Sequence, residues 1–281
     1  SVAACASPGK KRRRPLIKIA VIGAGGRMGK TIVSCIEDTE GVVIAGGTEF
    51  SGHPAIGSDI GDIAGIGNKR IAIVENVEEA VADCNAIIDF TTPESSMGTL
   101  NAASKQGKSL VIGTTGFSTA QRESIRKTAS GIRCVLAPNM SIGVNVLFKI
   151  ASDVAKTLGD AYDVEIVEAH HRFKKDAPSG TAVRLSEIIA ESLERNIDEV
   201  GVYGRRGMTE RTPKEIGVHT LRAGDIVGEH RVLFGGMGEN LELFHRAQSR
   251  ETFARGAIHA VKWVVTQPPG LYDMQDVLGL R

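Results

Sequence analysis

Short apolar runs alternate with segments of helical spacing over roughly the first half of the chain. The run Ile17–Ile22 is rich in β-branched residues and ends at glycines, as a buried parallel strand does. A helix is predicted at about 28–36, and further strands are predicted at 42–45, 71–74, 86–90, 109–113 and 134–137. This alternation predicts a doubly wound α/β domain over residues 16–140.

The second half of the chain has a different pattern. Its predicted strands lie around 162–168, 216–221, 229–234 and 239–245, and one helix is predicted at 181–193. These elements predict a separate α+β domain over 141–251. Apolar residues then recur at helical spacing over 252–265, which predicts that 252–281 return to pack on the first domain.

Composition and charge narrow the classes of partner. The 34 basic residues nearly balance the 33 acidic ones, so we expect neither nucleic acid nor an anionic membrane as the main partner. No apolar run reaches the length of about 18 residues that spans a bilayer. Cys5, Cys35, Cys84 and Cys134 form no C-x-x-C pair, so we expect reduced thiols in a cytoplasmic protein and no metal centre. Residues 1–15 contain a basic cluster and are predicted to be a disordered extension.

A glycine-rich loop directly follows the first predicted strand. It contains Gly23, Ala24, Gly25, Gly26, Arg27 and Met28, and fits a G-x-x-G-x-x-G pattern that ends at Gly29. Glycines let the backbone approach a pyrophosphate, and the free N–H groups of the following helix attract it. A tight turn needed for packing is the alternative. The position between a buried strand and a helix favours dinucleotide binding, and therefore a Rossmann domain.

The second predicted strand is followed by an acidic residue, Glu49. At this place dinucleotide domains carry an acid that accepts hydrogen bonds from the adenosine ribose. Such an acid repels a 2′-phosphate, and the neighbouring Phe50 brings no positive charge, so NADH is expected to be preferred. Arg27 in the glycine loop leaves room for NADPH to be tolerated.

The segment 168–182 concentrates groups that can carry chemistry. His170, His171 and Lys174 precede a predicted helix start at Ser179-Gly180-Thr181. Free N–H groups and hydroxyls at a helix start suit a carboxylate or phosphate, and histidine and lysine can donate protons. A structural or exposed histidine pair is the alternative. Asp176 is predicted to cap the helix.

These segments together resemble the 4-hydroxy-tetrahydrodipicolinate (dihydrodipicolinate) reductase family from about Leu16 onward. The most specific part is E-A-H-H-R-F-K-K-D-A-P-S-G-T-A at 168–182, supported by V-I-G-A-G-G-R-M-G, D-F-T-T-P, V-I-G-T-T-G-F and R-A-G-D-I-V-G-E-H. The resemblance implies hydride transfer from NADH or NADPH to a small unsaturated dicarboxylate, with a proton added to give tetrahydrodipicolinate in the diaminopimelate and lysine pathway.

The resemblance also implies roles for individual residues. His170 would be the acid/base residue and Lys174 the proton donor, while His171 would bind the substrate. Gly180 and Thr181 would hold a carboxylate. The glycine loop and Glu49 would bind the dinucleotide, whose nicotinamide end would be lined by Gly113, Thr114, Thr115, Ala137, Pro138, Asn139 and Met140. The second domain would build a homotetramer.

From the residues alone, other readings stay open. Residues 113–115 are equally a strand-ending turn, and 137–140 an interdomain connection. A reductase of similar architecture for another small acid, or a non-enzymatic sensor of dinucleotide redox state, would share the first domain. The proton donors beside an anion cradle argue against both.

Overall fold

The computed structural model describes residues 15–281 and contains two β-sheets. The first sheet is entirely parallel and has the order β12-β6-β5-β4-β1-β2-β3. Its strands are β1 (Ile17–Ile22), β2 (Val42–Thr48), β3 (Ile73–Val74), β4 (Ala86–Asp89), β5 (Ser109–Ile112), β6 (Arg133–Leu136) and β12 (Gly270–Tyr272). The strand order reverses between β1 and β4, and doubly wound sheets bind ligands beyond the carboxyl ends of the strands at such a point. The predicted fold class is therefore confirmed.

Helices cover both faces of this sheet. They are α1 (Arg27–Glu37), α2 (Ile60–Ala64), α3 (Val77–Ala80), α4 (Pro93–Gln106), α5 (Thr119–Ala129), α9 (Glu251–Val264) and α10 (Met274–Leu278). One face buries side chains such as Ile19 and Val21 against α1 and α9, and the other buries Ile87 and Leu110 against α4 and α5. Successive residues of a buried strand point to opposite faces, so the uninterrupted apolar runs of the sequence supply both cores.

The second sheet is mixed and has the order β11-β10-β7-β9-β8. Its strands are β7 (Asp163–His170), β8 (Gly201–Tyr203), β9 (Ile216–Arg222), β10 (Gly228–Gly235) and β11 (Asn240–Ala247), accompanied by α6 (Ile142–Leu158), α7 (Gly180–Ser192) and α8 (Ile197–Val200). β7 pairs parallel with β9 and antiparallel with β10. Helices α6 and α7 cover one face of this sheet and bury Ile166, Val232 and Phe234 there.

The last part of the chain joins the first sheet. Helix α9 packs against α1 and against strands β4, β5 and β6, and β12 pairs with β6. The sequence pattern did not predict β12, which has only three residues, and it predicted β3 over 71–74 where two residues form the strand. Domain boundaries at 140/141 and 251/252 stay a prediction.

Cys35, Cys84 and Cys134 are free thiols, as predicted, and all three are buried. Residues 1–14 of the predicted basic extension, which include Cys5, lie outside the described residues. Among the helices of residues 15–281, none is both long and apolar enough to cross a membrane.

Alanine substitutions at two helical glycines are expected to change the free energy of unfolding in opposite directions. A Cβ at Gly256 of α9 would overlap the carbonyl of Met140, whereas a Cβ at Gly98 of α4 would meet nothing within 4 Å. We expect Gly256→Ala to destabilise the protein by about 2 kcal/mol through overpacking. Gly98→Ala should stabilise it by about 0.5–1 kcal/mol, because alanine loses less backbone entropy in a helix. Thermal unfolding of both variants measures the difference, and an unchanged Tm for Gly256→Ala would contradict the close approach.

Candidate active site at the junction of the two sheets

The glycine loop forms a tight turn between β1 and α1. Gly23 has a φ of +73°, a left-handed conformation that favours glycine. A Cβ at Gly29 would overlap the carbonyl of Gly23, so the third glycine lets α1 approach the loop. In the described structure no side chain caps α1, whose N-cap is Gly26. The first N–H groups of α1 are therefore available to an anion, and this cradle fits a pyrophosphate.

Glu49 lies directly after β2 and its carboxylate faces the glycine loop. Its Oε1 accepts a hydrogen bond from Gly25 N at 2.8 Å, and its Oε2 accepts one from Phe50 N at 3.3 Å. The Phe50 side chain is 70% exposed and lies edge-to-face with the His53 ring, with 5.0 Å between the ring centroids. Backbone contacts therefore hold the acid beside the loop with an exposed aromatic ring next to it.

A buried hydroxyl cluster lies at the carboxyl ends of β4 and β5. Asp89 Oδ1 accepts hydrogen bonds from Thr91 N at 3.0 Å and Thr91 Oγ1 at 2.6 Å. Thr114 Oγ1 accepts from Thr91 N at 2.9 Å and from Ser96 Oγ at 2.8 Å. Burial raises the pKa of the Asp89 carboxyl, whose Oδ2 has no hydrogen-bond partner among residues 15–281. Thr114 is thus held at the carboxyl edge of the sheet, where doubly wound domains bind their ligands.

Asn139 connects the two sheets. Its Nδ2 donates a hydrogen bond to Thr181 Oγ1 at 3.0 Å, and its Oδ1 accepts one from Ser141 N at 2.9 Å. Asn145 Nδ2 donates to the Asn139 carbonyl at 3.0 Å. In the flanking chain Ala137 and Met140 are buried, whereas Pro138 is exposed. Residues predicted for the nicotinamide end and for the substrate carboxylate therefore touch each other.

The carboxylate of Glu168 is fully buried at the end of β7. Oε1 accepts hydrogen bonds from Ser179 N at 2.9 Å, Thr220 Oγ1 at 3.2 Å and Arg222 Nη2 at 2.9 Å. Oε2 accepts from His170 Nδ1 at 2.6 Å and Arg222 Nη1 at 2.9 Å. Although burial alone would raise it, the pKa of Glu168 is lowered to about 2, because His170, Arg222 and Ser179 N–H stabilise the charged form.

His170 lies between this carboxylate and a second buried histidine. Its ring is edge-to-face with His230, with 5.2 Å between the centroids. His230 Nε2 is 3.2 Å from Ser179 Oγ, and burial lowers the pKa of His230 to about 3, so this ring is neutral near neutral pH. His230 therefore packs beside His170 as an uncharged ring.

The loop after β7 carries the remaining charged groups. Lys174 Nζ is 2.9 Å from Asp176 Oδ2. The pKa of His171 is lowered, first by desolvation and then by the positive charges of Arg250 and its other neighbours. Its Nδ1 is buried and makes no hydrogen bond within the described part of the chain. His171 is thus a neutral ring with an unused polar atom beside the lysine.

The start of α7 corrects one prediction. Asp176 does not cap the helix; Ser179 is the N-cap and its Oγ accepts from Ala182 N at 3.3 Å. Asp176 lies in the loop before the helix and pairs with Lys174 instead. Gly180 is exposed, with open space where a Cβ would be, and Thr181 follows it. The N–H groups of the first turn remain aligned for a carboxylate.

Sequence reasoning gave no role to Glu168, Arg222, His230 or Asp89. All four stand inside motifs named above: Glu168 precedes the histidine pair, Asp89 begins D-F-T-T-P, and Arg222 and His230 are the two ends of R-A-G-D-I-V-G-E-H. For Glu168 and Asp89, the available signal was an acid inside an apolar strand. Burying an acid requires partners, which marks it as functional or structural. Arg222 and His230 lie more than 50 residues from Glu168 in the chain, and local patterns do not show such pairs.

Comparison with known proteins gives consistent matches along the chain. Residues 17–140 match the family profile described as dihydrodipicolinate reductase, N-terminus, and residues 143–278 match the one described as dihydrodipicolinate reductase, C-terminus. The 4-hydroxy-tetrahydrodipicolinate reductase of Syntrophus aciditrophicus (strain SB) is 55% identical over 267 residues, which cover 95% of this chain and 100% of that protein. The protein of the same name from Geotalea uraniireducens (strain Rf4) is 54% identical over 267 residues, with the same two coverages.

A solved structure shows the same architecture. The dipicolinate-bound dihydrodipicolinate reductase from Paenisporosarcina sp. TG-14 is similar to this chain with a TM-score of 0.74 and 25% sequence identity. The alignment covers 93% of this chain and 98% of that one. Both sheets and their connection are therefore shared with that protein.

Proposed function

The chain belongs to the dihydrodipicolinate reductase family, and from this premise we propose how its own residues carry out the reaction of that family. The chain is a pyridine-nucleotide-dependent oxidoreductase that reduces 4-hydroxy-tetrahydrodipicolinate to tetrahydrodipicolinate in the diaminopimelate and lysine pathway. The observation that carries the residue assignment is the contact between Asn139 and Thr181, because it brings the cofactor edge and the substrate cradle together.

The first sheet supplies the cofactor site. Residues 23–28 and Glu49 would hold the dinucleotide, and residues 113–115 and 137–140 would line its nicotinamide end. When bound, the nicotinamide supplies a hydride. The uncapped N-terminus of α1 and the space left by the glycines fit the pyrophosphate.

The second sheet supplies the substrate site. The N–H groups of Gly180 and Thr181 point from the start of α7 and would bind one carboxylate of the substrate. His171 would bind the substrate as a neutral hydrogen-bonding ring, since its lowered pKa keeps it uncharged near neutral pH. Lys174 would leave Asp176 to pair with the substrate, where its ammonium group donates a proton or offsets negative charge.

His170 would be the acid/base residue. The Glu168 carboxylate can only accept a hydrogen bond, so the Nδ1 of His170 carries the hydrogen between them. The other nitrogen, Nε2, is then free to exchange a proton with the substrate. The 4-hydroxyl group of the substrate leaves as water, the hydride adds two electrons to the resulting unsaturated ring, and one proton completes the reduction to tetrahydrodipicolinate.

Two substitutions separate the proton role from the binding role. We expect His170→Gln to lower kcat by about 10² to 10³-fold, the usual contribution of a positioned acid or base. Thr181→Val should raise the substrate KM by about tenfold, because it removes one hydrogen bond near the cradle. The assay supplies the aldolase-type condensation product of pyruvate and aspartate semialdehyde and follows NADH oxidation.

His259→Gln is the matched control, because this histidine is exposed on α9 away from the site. Its kcat and KM should equal those of the wild type. Unchanged turnover in His170→Gln would show that the acid/base residue is misassigned.

We also propose that NADH is preferred and NADPH tolerated. Glu49 is buried beside Gly25, and the exposed Phe50 offers no positive charge to a 2′-phosphate. Arg27 lines a cleft together with Val227 and Arg250 of the second half of the chain. Arg27 is the cation of the glycine loop, and it is the group that would let NADPH be tolerated.

Cofactor choice can be tested at Phe50. We expect the wild type to have a higher kcat/KM with NADH than with NADPH. Phe50→Arg should shift the NADPH-to-NADH ratio of kcat/KM by about tenfold toward NADPH, since an arginine pairs with phosphate. Phe50→Leu removes the ring without adding charge and should leave the ratio close to that of the wild type. A wild type that uses both cofactors equally well, or prefers NADPH, would contradict the proposal.

A homotetramer is proposed for the assembled protein, through the face of the second sheet that α6 and α7 leave open. Phe244 and Leu221 are exposed on this face, and the guanidinium groups of Arg231 and Arg246 lie 5.3 and 5.2 Å from the Phe244 ring centroid. Arg246 also pairs with Glu229. Charges of both signs around an aromatic ring suit pairing with a second copy of the same face.

Light scattering after size exclusion tests this assembly. The wild type should have about four times the 29.8 kDa mass of one chain. Phe244→Glu should lower this mass, because it places an unpaired charge in the interface. Leu16→Glu, at an exposed apolar residue before β1, should not. A monomeric wild type, or a tetrameric Phe244→Glu protein, would overturn the proposal.

A further inference from the structure

The Glu168 carboxylate joins three separate parts of the site. It binds His170 at the end of β7, Ser179 at the start of α7 and Arg222 at the end of β9. We propose that Glu168 and Arg222 act as a positioning unit, which fixes the distance between the proton-exchanging Nε2 of His170 and the carboxylate cradle of α7. This inference rests on the roles proposed above for His170 and Thr181.

The first argument concerns the orientation of the His170 ring. Its Nδ1 is held by Glu168 Oε2 at 2.6 Å, which fixes the ring and directs Nε2 away from the carboxylate. Strand β10 leaves space beside that nitrogen, because a Cβ added at Gly228 would lie 3.1 Å from His170 Nε2. Because Nδ1 holds the hydrogen bonded to Glu168 and Nε2 has free space beside it, Nε2 is the atom that exchanges a proton with the substrate.

The second argument concerns the cradle. Ser179 N donates to Glu168 Oε1 at 2.9 Å, so the residue directly before Gly180 is bound to the same carboxylate as the ring. The Ser179 side chain is also 3.2 Å from His230 Nε2. The start of α7 is thus held through both its backbone and its N-cap side chain.

Arg222 extends this unit to the loop that carries Lys174. Its two terminal nitrogens bind the two oxygens of Glu168, each at 2.9 Å, and Nη2 also donates to the Asp176 carbonyl at 2.5 Å. Asp176 in turn pairs with Lys174. One guanidinium group therefore sets the position of the loop relative to the ring and the helix.

A neutral side chain cannot replace the carboxylate. Two carboxylate oxygens offer about four lone-pair directions, and they receive hydrogen bonds from five atoms. A glutamine has one acceptor oxygen, and it would leave the guanidinium of Arg222 without its counter-charge. The positioning role predicts that charge and length are both required.

The two effects can be separated in strand β10. Gly228→Ala crowds His170 Nε2 and leaves the Glu168 contacts intact, so we expect kcat to fall by about tenfold. The substrate-site probe is dipicolinate, the dicarboxylate bound in the solved relative, and its binding to the NADH-bound enzyme should change little. Gly235→Ala is the matched control in the same strand, because its Cβ would meet only Asn240 Oδ1 at an ordinary 3.5 Å. It should behave as the wild type.

Glu168→Gln tests the unit as a whole. It should lower kcat by about 100-fold, the effect of misplacing a reacting group by about 1 Å, and should also weaken dipicolinate binding by about tenfold. NADH affinity, measured by fluorescence, should stay within about threefold of the wild type. Arg222→Lys keeps the charge but not the two-nitrogen contact, and we expect an intermediate loss of both kcat and dipicolinate affinity.

The outcomes distinguish this inference from the assignment of His170. If His170→Gln keeps its turnover, the assignment fails. If His170→Gln loses turnover while Arg222→Lys and Glu168→Gln keep both kcat and dipicolinate affinity, the positioning role is wrong. If Glu168→Gln does not fold, Arg222→Lys tests whether the buried ion pair positions both His170 and the start of α7. Gly228→Ala tests whether His170 Nε2 exchanges the proton with the substrate. Wild-type turnover in Gly228→Ala would contradict that role of Nε2.

Discussion

The buried carboxylate of Glu168 is the constraint on which the second half of the structure depends. A charge removed from water destabilises a protein by several kcal/mol unless nearby donors replace the lost hydration. Here the donors come from β7, β9 and the start of α7, and the lowered pKa shows that they compensate for burial. The parallel pairing of β7 with β9, which places Arg222 beside His170 in the register, makes this possible.

The same arrangement explains how an apolar core changes into a polar site within one sheet. Ile166 of β7 is packed under α6 and α7, and two residues later the same face presents Glu168. In the strand register, His230 of β10 lies opposite Glu168 of β7 on one side and opposite His245 of β11 on the other. The end of the sheet nearest the first domain thus becomes a hydrogen-bonded row, while the other end holds the fold together.

Much of this could be predicted from sequence, because the signals are local. The apolar runs predicted the strands, and the glycines between β1 and α1 predicted a loop that a Cβ at Gly29 would block. The stretch 168–182 predicted a helix start, but its predicted cap, Asp176, was wrong, since the side chains of both Asp176 and Ser179 can accept from a helix N-terminus. In the structure Ser179 Oγ accepts from Ala182 N, while Asp176 pairs with Lys174.

What the sequence could not show are the contacts between distant segments. Nothing near Asn139 or Thr181 indicates their hydrogen bond, and nothing near Arg222 indicates a partner in β7. The contact between Asn139 and Thr181 brings the two halves of the proposed active site together. The most direct test is a crystal structure with NADH and dipicolinate bound. We expect one dipicolinate carboxylate on the N–H groups of Gly180 and Thr181, with His170 Nε2 facing the ring. Dipicolinate bound away from the start of α7, or His170 Nδ1 separated from Glu168, would contradict the account.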